Sequence, residues 1–203
     1  TRLVTTLVPE DGEAAGLLAL MLLTDARRTA RLSADGELIT LVDQDRTLWD
    51  AALIEEGHRI VRARLESGAP PGRYQILAAI SAVHTDAAHA SETDWAQIVA
   101  LYDQLLGVDP SPVVALNRAI ALAELDGADV ALAAIDRLDE RLATYRPYRT
   151  TRAELLRRLG RIDQAITEYD QAIALDGNTA ETAYLQRRRH ELTERSGDAG
   201  TPR

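Results

Sequence analysis

The chain contains no cysteine. Disulfides, a thiolate nucleophile and cysteine-ligated metals are therefore excluded from its chemistry. Phenylalanine is also absent and aromatic residues make up 4 % of the chain, so leucine, isoleucine, valine and alanine must fill the core. Lysine is missing too, which leaves arginine to carry the fixed positive charge. Positive charge is in deficit overall: 23 basic residues against 32 acidic ones give a net charge of −9 and a pI of about 5.0. A field of that sign repels phosphate backbones and disfavours non-specific nucleic-acid binding. The apolar run at residues 16–23 is far shorter than the roughly twenty residues a membrane span requires. No basic-then-apolar leader pattern opens the sequence. A cytoplasmic location without membrane contact is expected.

What the chain has in abundance is alanine and leucine, which favour helix over sheet. Across its 203 residues there is enough length for a sizeable core. An internal repeat organises the second half. Ala119 pairs with Ala153 at an offset that also pairs Arg118 with Arg152, Leu122 with Leu156, Ala131 with Ala165 and Ile135 with Tyr169. That offset, 34 residues, is the period of the tetratricopeptide helical hairpin. In the second copy Ala153, Gly160, Ala165, Tyr169 and Ala172 supply the small residues and the aromatic that closely paired helices need. The first copy is less regular, with Gly127 one residue out of step and Ile135 in the aromatic position.

The remaining elements follow from caps and breakers. A helix is expected over residues 13–31, apolar nearly all round at its start and so covered on several sides. A turn at Asp35-Gly36 and a weakly alternating segment at 37–42 separate it from a second helix over 45–65, with Asp45 as N-cap and Trp49 on its apolar face. The segment at 67–72, S-G-A-P-P-G, reads as a linker. A diverged hairpin is expected from helices at 72–86 and 93–106, the latter capped by Thr93. Ser111 caps a helix running to 125. A last helix at 179–192 with a polar outer face caps the stack. The small, polar tail at 196–203 is expected to be disordered. The fold class is thus all-α: an N-terminal helical pair (1–70) and a tetratricopeptide-like right-handed superhelix of hairpins with its capping helix (71–195), forming one continuous unit.

Several strings resemble a known group: L-L-A-L-M-L-L-T-D-A-R-R-T-A-R (17–31), L-V-D-Q-D-R-T-L-W-D (41–50), T-D-W-A-Q-I (93–98), L-Y-D-Q-L-L (101–106), P-S-P-V-V-A-L-N-R-A (110–119) and A-E-L-L-R-R-L-G-R (153–161). They are similar to the C-terminal tetratricopeptide-like extension of certain bacterial extracytoplasmic-function sigma factors, members of the sigma-70 superfamily. Neither a basic helix-turn-helix nor an aromatic-rich basic helix is found, so the sequence looks like the extension alone. The resemblance implies a regulatory role in transcription initiation through contacts with the sigma domains of the parent chain, the RNA polymerase core or another regulator. Promoter contact belongs to the parent protein and is not expected of this part.

Two groups of residues are candidates for a site. Asn117, Arg118 and Arg152, with Tyr74, are placed by the repeat where tetratricopeptide proteins grip extended peptide backbone; Asn117 offers both donor and acceptor. A polar cluster comprises Asp25, Arg27, Arg28, Asp43, Gln44, Asp45, Arg46, Trp49, Asp94 and Trp95. There the arginines are expected to complement a helix C-terminus or to pair across the turn with Asp43, Asp45 or Glu55. An arginine left unpaired would accept a partner carboxylate. The tryptophans read as core anchors with indole N–H groups bonded to carbonyls. His58, His84, His89 and His190 lack metal-ligand spacing, and two nearby aspartates do not complete a calcium loop. No catalytic motif is present, so neither enzymatic activity nor a cofactor or metal is expected. Alternative readings are a free-standing peptide-binding adaptor, a small-ligand sensor holding an anion on Arg27, Arg28 and Arg118, and direct DNA contact.

Overall fold

The computed structural model describes residues 10–34 and 36–198. Among them the regular structure is helical and no strand occurs. The segment predicted to alternate at 37–42 forms no strand, and its Ile39 N–H donates to the Arg31 carbonyl at 2.8 Å. Gly36 has φ +77°; its partner in the expected turn, Asp35, lies outside the described residues. No helix among the described residues is long and apolar enough to cross a membrane.

Compactness divides the chain in two. The described residues up to Val114, apart from 36–38, form one unit; residues 36–38 group with those from Ala115 onward in the other. The proline-rich segment at 67–72 lies inside the first unit.

In the first unit, helix α1 (Gly12–Asp25) is capped by Asp11, which accepts the N–H groups of Glu13 and Ala14. Its Leu18, Ala19, Leu22 and Leu23 are buried against α2 (Ala51–Glu66) and α3 (Arg73–Asp86). Two boundaries differ from expectation. Helix α1 stops at Asp25 and not at Arg31, because the chain folds over so that the Ala26 carbonyl takes the Asp50 N–H at 2.9 Å. Helix α2 begins at Ala51, where Asp50 accepts the N–H groups of Ala52 and Leu53. Asp45 instead caps a short 3-10 turn, Arg46–Leu48, and Trp49 sits between that turn and α2. Helix α4 (Trp95–Val108) is capped by Asp94, whose carboxylate accepts the Gln97 N–H at 2.9 Å. Thr93, expected in that role, is buried with its Oγ1 unpartnered.

The second unit is built from α5 (Pro112–Leu125) from Ala115 onward, α6 (Ala128–Asp136), a single helical turn α7 (Asp139–Leu142), α8 (Arg146–Arg158), α9 (Ile162–Ala174) and α10 (Thr179–Asp198). Ser111 caps α5 as expected, accepting the Val113 N–H at 3.2 Å. Helices α5 and α8 begin 34 residues apart, as do α6 and α9. The small residues paired at this offset, Ala119 with Ala153 and Ala131 with Ala165, are all buried, as are Ile135 and Tyr169. Gly160, with φ +72°, ends α8 in a Schellman motif: its N–H donates to Arg157 and that of Arg161 to Leu156. Only glycine enters this left-handed conformation cheaply. Helix α10 runs past Leu192 to Asp198, so the expected tail begins as helix, and residues 199–203 lie outside those described.

Candidate functional site

Three of the quoted strings converge in the first unit at the C-terminus of α3. Asp45 closes its turn by accepting from the N–H and hydroxyl of Thr47, which hold its carboxyl below the usual carboxylate range. The turn aims Arg46 at α3, where its Nη1 donates to the carbonyls of His84 at 2.8 Å and Ala87 at 2.6 Å. A cation there satisfies carbonyls that the helix leaves open and complements its dipole. The guanidinium also lies 4.6 Å from the centre of the Trp49 ring. His84 meets Trp95 edge to face, with centroids 5.3 Å apart. From the first string, the Thr29 hydroxyl donates to the Leu48 carbonyl at 2.6 Å.

The electrostatics of this cluster are one-sided. Burial, aided by the nearby charges of Arg31 and Arg46, lowers the pKa of Arg27. Its Nε is buried without a partner. Burial, with Arg27 and Arg46 adding to it, pushes His84 down to about 4, so its ring is neutral near pH 7. Three of the nearby carboxylates are engaged close to their own position in the chain. Asp25 pairs with Arg28 at the same helix end, Asp45 is taken by Thr47, and Asp43 accepts the Thr40 hydroxyl at 2.5 Å. Gln44 approaches the Ile39 carbonyl at 3.4 Å while its Oε1 has no partner. Trp49 is 8 % exposed, a core anchor as expected. Its indole N–H, however, has no acceptor.

The four residues of the other candidate group fall in both units. Tyr74 is on α3, its N–H donating to the Glu13 carboxylate. Asn117 and Arg118 are on α5. Arg152 on α8 is committed within the second unit: it pairs with Asp136 at 2.9 Å and with Glu168, which also takes Arg149 at 3.1 Å. Glu168 is 5 % exposed, so this buried carboxylate braces α8 against α9.

The second unit has a groove of about 170 Å³ lined from α5, α8, α9 and α10, with Ile120, Ala123, Thr151 and Leu155 among its walls. Arg158 and Glu124 join across one side at 2.6 Å. Glu154 is held by Arg157, by the Tyr169 hydroxyl at 3.0 Å, by Arg188 at 3.6 Å and by Arg158 itself at 3.7 Å. Burial raises the Glu154 pKa, and these partners outweigh it, leaving the carboxyl below its usual range. Ile120, Glu124, Thr151 and Arg158 were not among the sequence candidates. The repeat itself contained the signal: Ile120 and Glu124 stand one period before Glu154 and Arg158.

Among the described residues no group of histidines and acids could hold a metal. His58 instead bonds the Thr85 hydroxyl at 2.8 Å.

No solved structure matches the chain. Residues 1–65 match the model of a family of unknown function, DUF6596. Over 186 residues, 92 % of this chain, it is 43 % identical to an uncharacterized protein of Rhizobium meliloti (strain 1021), of whose length it spans 44 %.

Proposed function

We propose that this chain is a regulatory protein-interaction domain of an extracytoplasmic-function sigma factor, acting on transcription initiation through its helical hairpins. The reading is carried by one observation: α5/α6 and α8/α9 recur in the same 34-residue register and leave the groove at Ile120, Thr151 and Leu155 open. Helices stacked at a constant step create surfaces that a partner polypeptide can occupy. The groove has an apolar floor and walls carrying Glu124, Glu154 and Arg158, which suits an extended segment with alternating apolar and polar side chains. The resemblance of the six strings to sigma-factor extensions supplies the process. Promoter recognition is assigned to the sigma domains of the parent chain, in keeping with a net charge of −9 here.

The mechanism is a population shift. The groove binds its segment, from sigma, polymerase or another regulator, differently in the active and inactive states and so biases their ratio. The test uses the full-length factor on its cognate promoter. Deleting this domain changes output or its regulation, and Ile120→Glu, at a position already 40 % exposed, reproduces that change with an unaltered melting temperature. Unchanged output and regulation on deletion would rule the proposal out.

A further inference from the structure

The first unit contains a cleft between α1, α2, α3 and α4 whose volume is about 340 Å³. That lies at the lower end of the range, about 300–1,000 Å³, typical of small-molecule sites. Its walls are apolar, with Ala19, Ile60, Ile76 and Leu101 among them, and the exposed segment at 68–71 forms one side. Arg64 is the only cation in the lining, and its Nε is buried without a partner.

A second feature shows where the polar end lies. A Cβ added to Gly12 would collide with both the Gln75 side-chain amide and Arg64 Nη2. The ends of these two side chains therefore lie side by side against the Gly12 backbone. The carboxylates that flank Gly12 are engaged elsewhere: Asp11 accepts the N–H groups of Glu13 and Ala14, and Glu13 accepts those of Tyr74 and Gln75. An apolar space that ends in a guanidinium and an amide donor is complementary to one kind of ligand.

We propose that this cleft binds a small amphiphilic carboxylate, with its aliphatic tail among Ala19, Ile60, Ile76 and Leu101 and its carboxylate accepting from Arg64 and Gln75. A guanidinium–carboxylate contact is charge-assisted and fixes the orientation of the tail. The site is separate from the groove of the second unit and does not depend on the sigma-factor reading.

Titration calorimetry on the intact chain tests it, with octanoate, decanoate and 1-octanol as probes below their aggregation limits. Both carboxylates bind saturably at one site, and octanoate binds at least tenfold more tightly than octanol. Arg64→Gln weakens octanoate at least tenfold and leaves octanol unchanged. Ala79→Phe, which fills the cleft from α3, removes binding of all three without lowering the melting temperature. The proposal is overturned if neither carboxylate saturates, if octanol matches octanoate, or if either variant binds octanoate as the unmodified chain does. Transcription is not read in this experiment, so its outcome leaves the sigma-factor reading untouched.

Discussion

Arg158 on α8 donates to Glu124 on α5 over 2.6 Å, and the two residues stand 34 positions apart in the chain. The ion pair therefore joins equivalent places in successive hairpins and ties one repeat to the next. Both side chains are about one-third exposed, so solvent screens the pair and its worth is modest. A double-mutant cycle with Glu124→Ala and Arg158→Ala, followed by urea denaturation, is expected to give a coupling of about 0.5 kcal/mol. The coupling should shrink in high salt. A coupling of zero at low salt would show that the contact registers the hairpins without stabilising them.

Glu168 presents the opposite case. Its side chain is 7 % exposed and holds two guanidiniums, Arg149 and Arg152, which are 15 % and 25 % exposed. Removing the shared carboxylate leaves two half-buried cations facing each other. Glu168→Ala is expected to cost about 3 kcal/mol in urea denaturation, within the range for broken buried pairs. Arg152→Ala should cost clearly less, because Arg149 still satisfies Glu168. Equal losses for the two variants would contradict this ordering.

The repeat was legible because it rests on side-chain size. Ala119, Ala153, Ala131 and Ala165 are small where helices approach, and all four are buried. Helix ends were less legible for a physical reason. Asp45 and Asp50 each satisfy the local chemistry of an N-cap, and the choice between them is made by the Asp50 N–H bonding the Ala26 carbonyl, a contact between distant residues. The end of α1 is decided by the same contact, with no glycine or proline in the local sequence to announce it. Candidate residues divide likewise. The strings around Arg27, Arg46 and Trp95 could be picked out in the sequence, but their convergence on the end of α3 is tertiary. Glu168 and Arg64 were invisible, since a charged residue on an amphipathic helix reads as solvated until its neighbours are known.

Two glycines within helices should respond to alanine with opposite signs. At Gly16 on α1, an added Cβ would lie 2.5 Å from the Gln75 backbone nitrogen and 2.8 Å from its Cα. Backbone cannot swing aside as a side chain can, so α1 and α3 would have to separate. Gly16→Ala is expected to cost about 2–3 kcal/mol, despite the better helix propensity of alanine. At Gly107 on α4 nothing lies within 4 Å of the added atom, and φ is not positive. Gly107→Ala is expected to stabilise by about 0.5 kcal/mol. Paired thermal and urea denaturation of the two variants checks both signs.

The neutral His84 links the polar cluster to pH. Its pKa falls from 6.5 to about 4 on folding, through burial first and then through Arg27 and Arg46. The unfolded chain therefore binds a proton between these values that the folded chain refuses. By linkage, the contribution of the neutral ring is fully present above pH 6.5 and is lost as pH falls toward 4. A shift of this size corresponds to roughly 3 kcal/mol at its limit, and partial exposure of the ring reduces that to about 2 kcal/mol. His58 is shifted in the same direction by burial, so the total slope of the protein does not isolate His84. The comparison that does is His84→Gln, which keeps a polar side chain without the titration and leaves His58 and the carboxylates in place. Between pH 7 and pH 4.5 the unmodified chain should lose more stability than the variant by most of that amount. Parallel stability curves for the two proteins would mean that burial and the charges of Arg27 and Arg46 leave His84 with an ordinary affinity for protons.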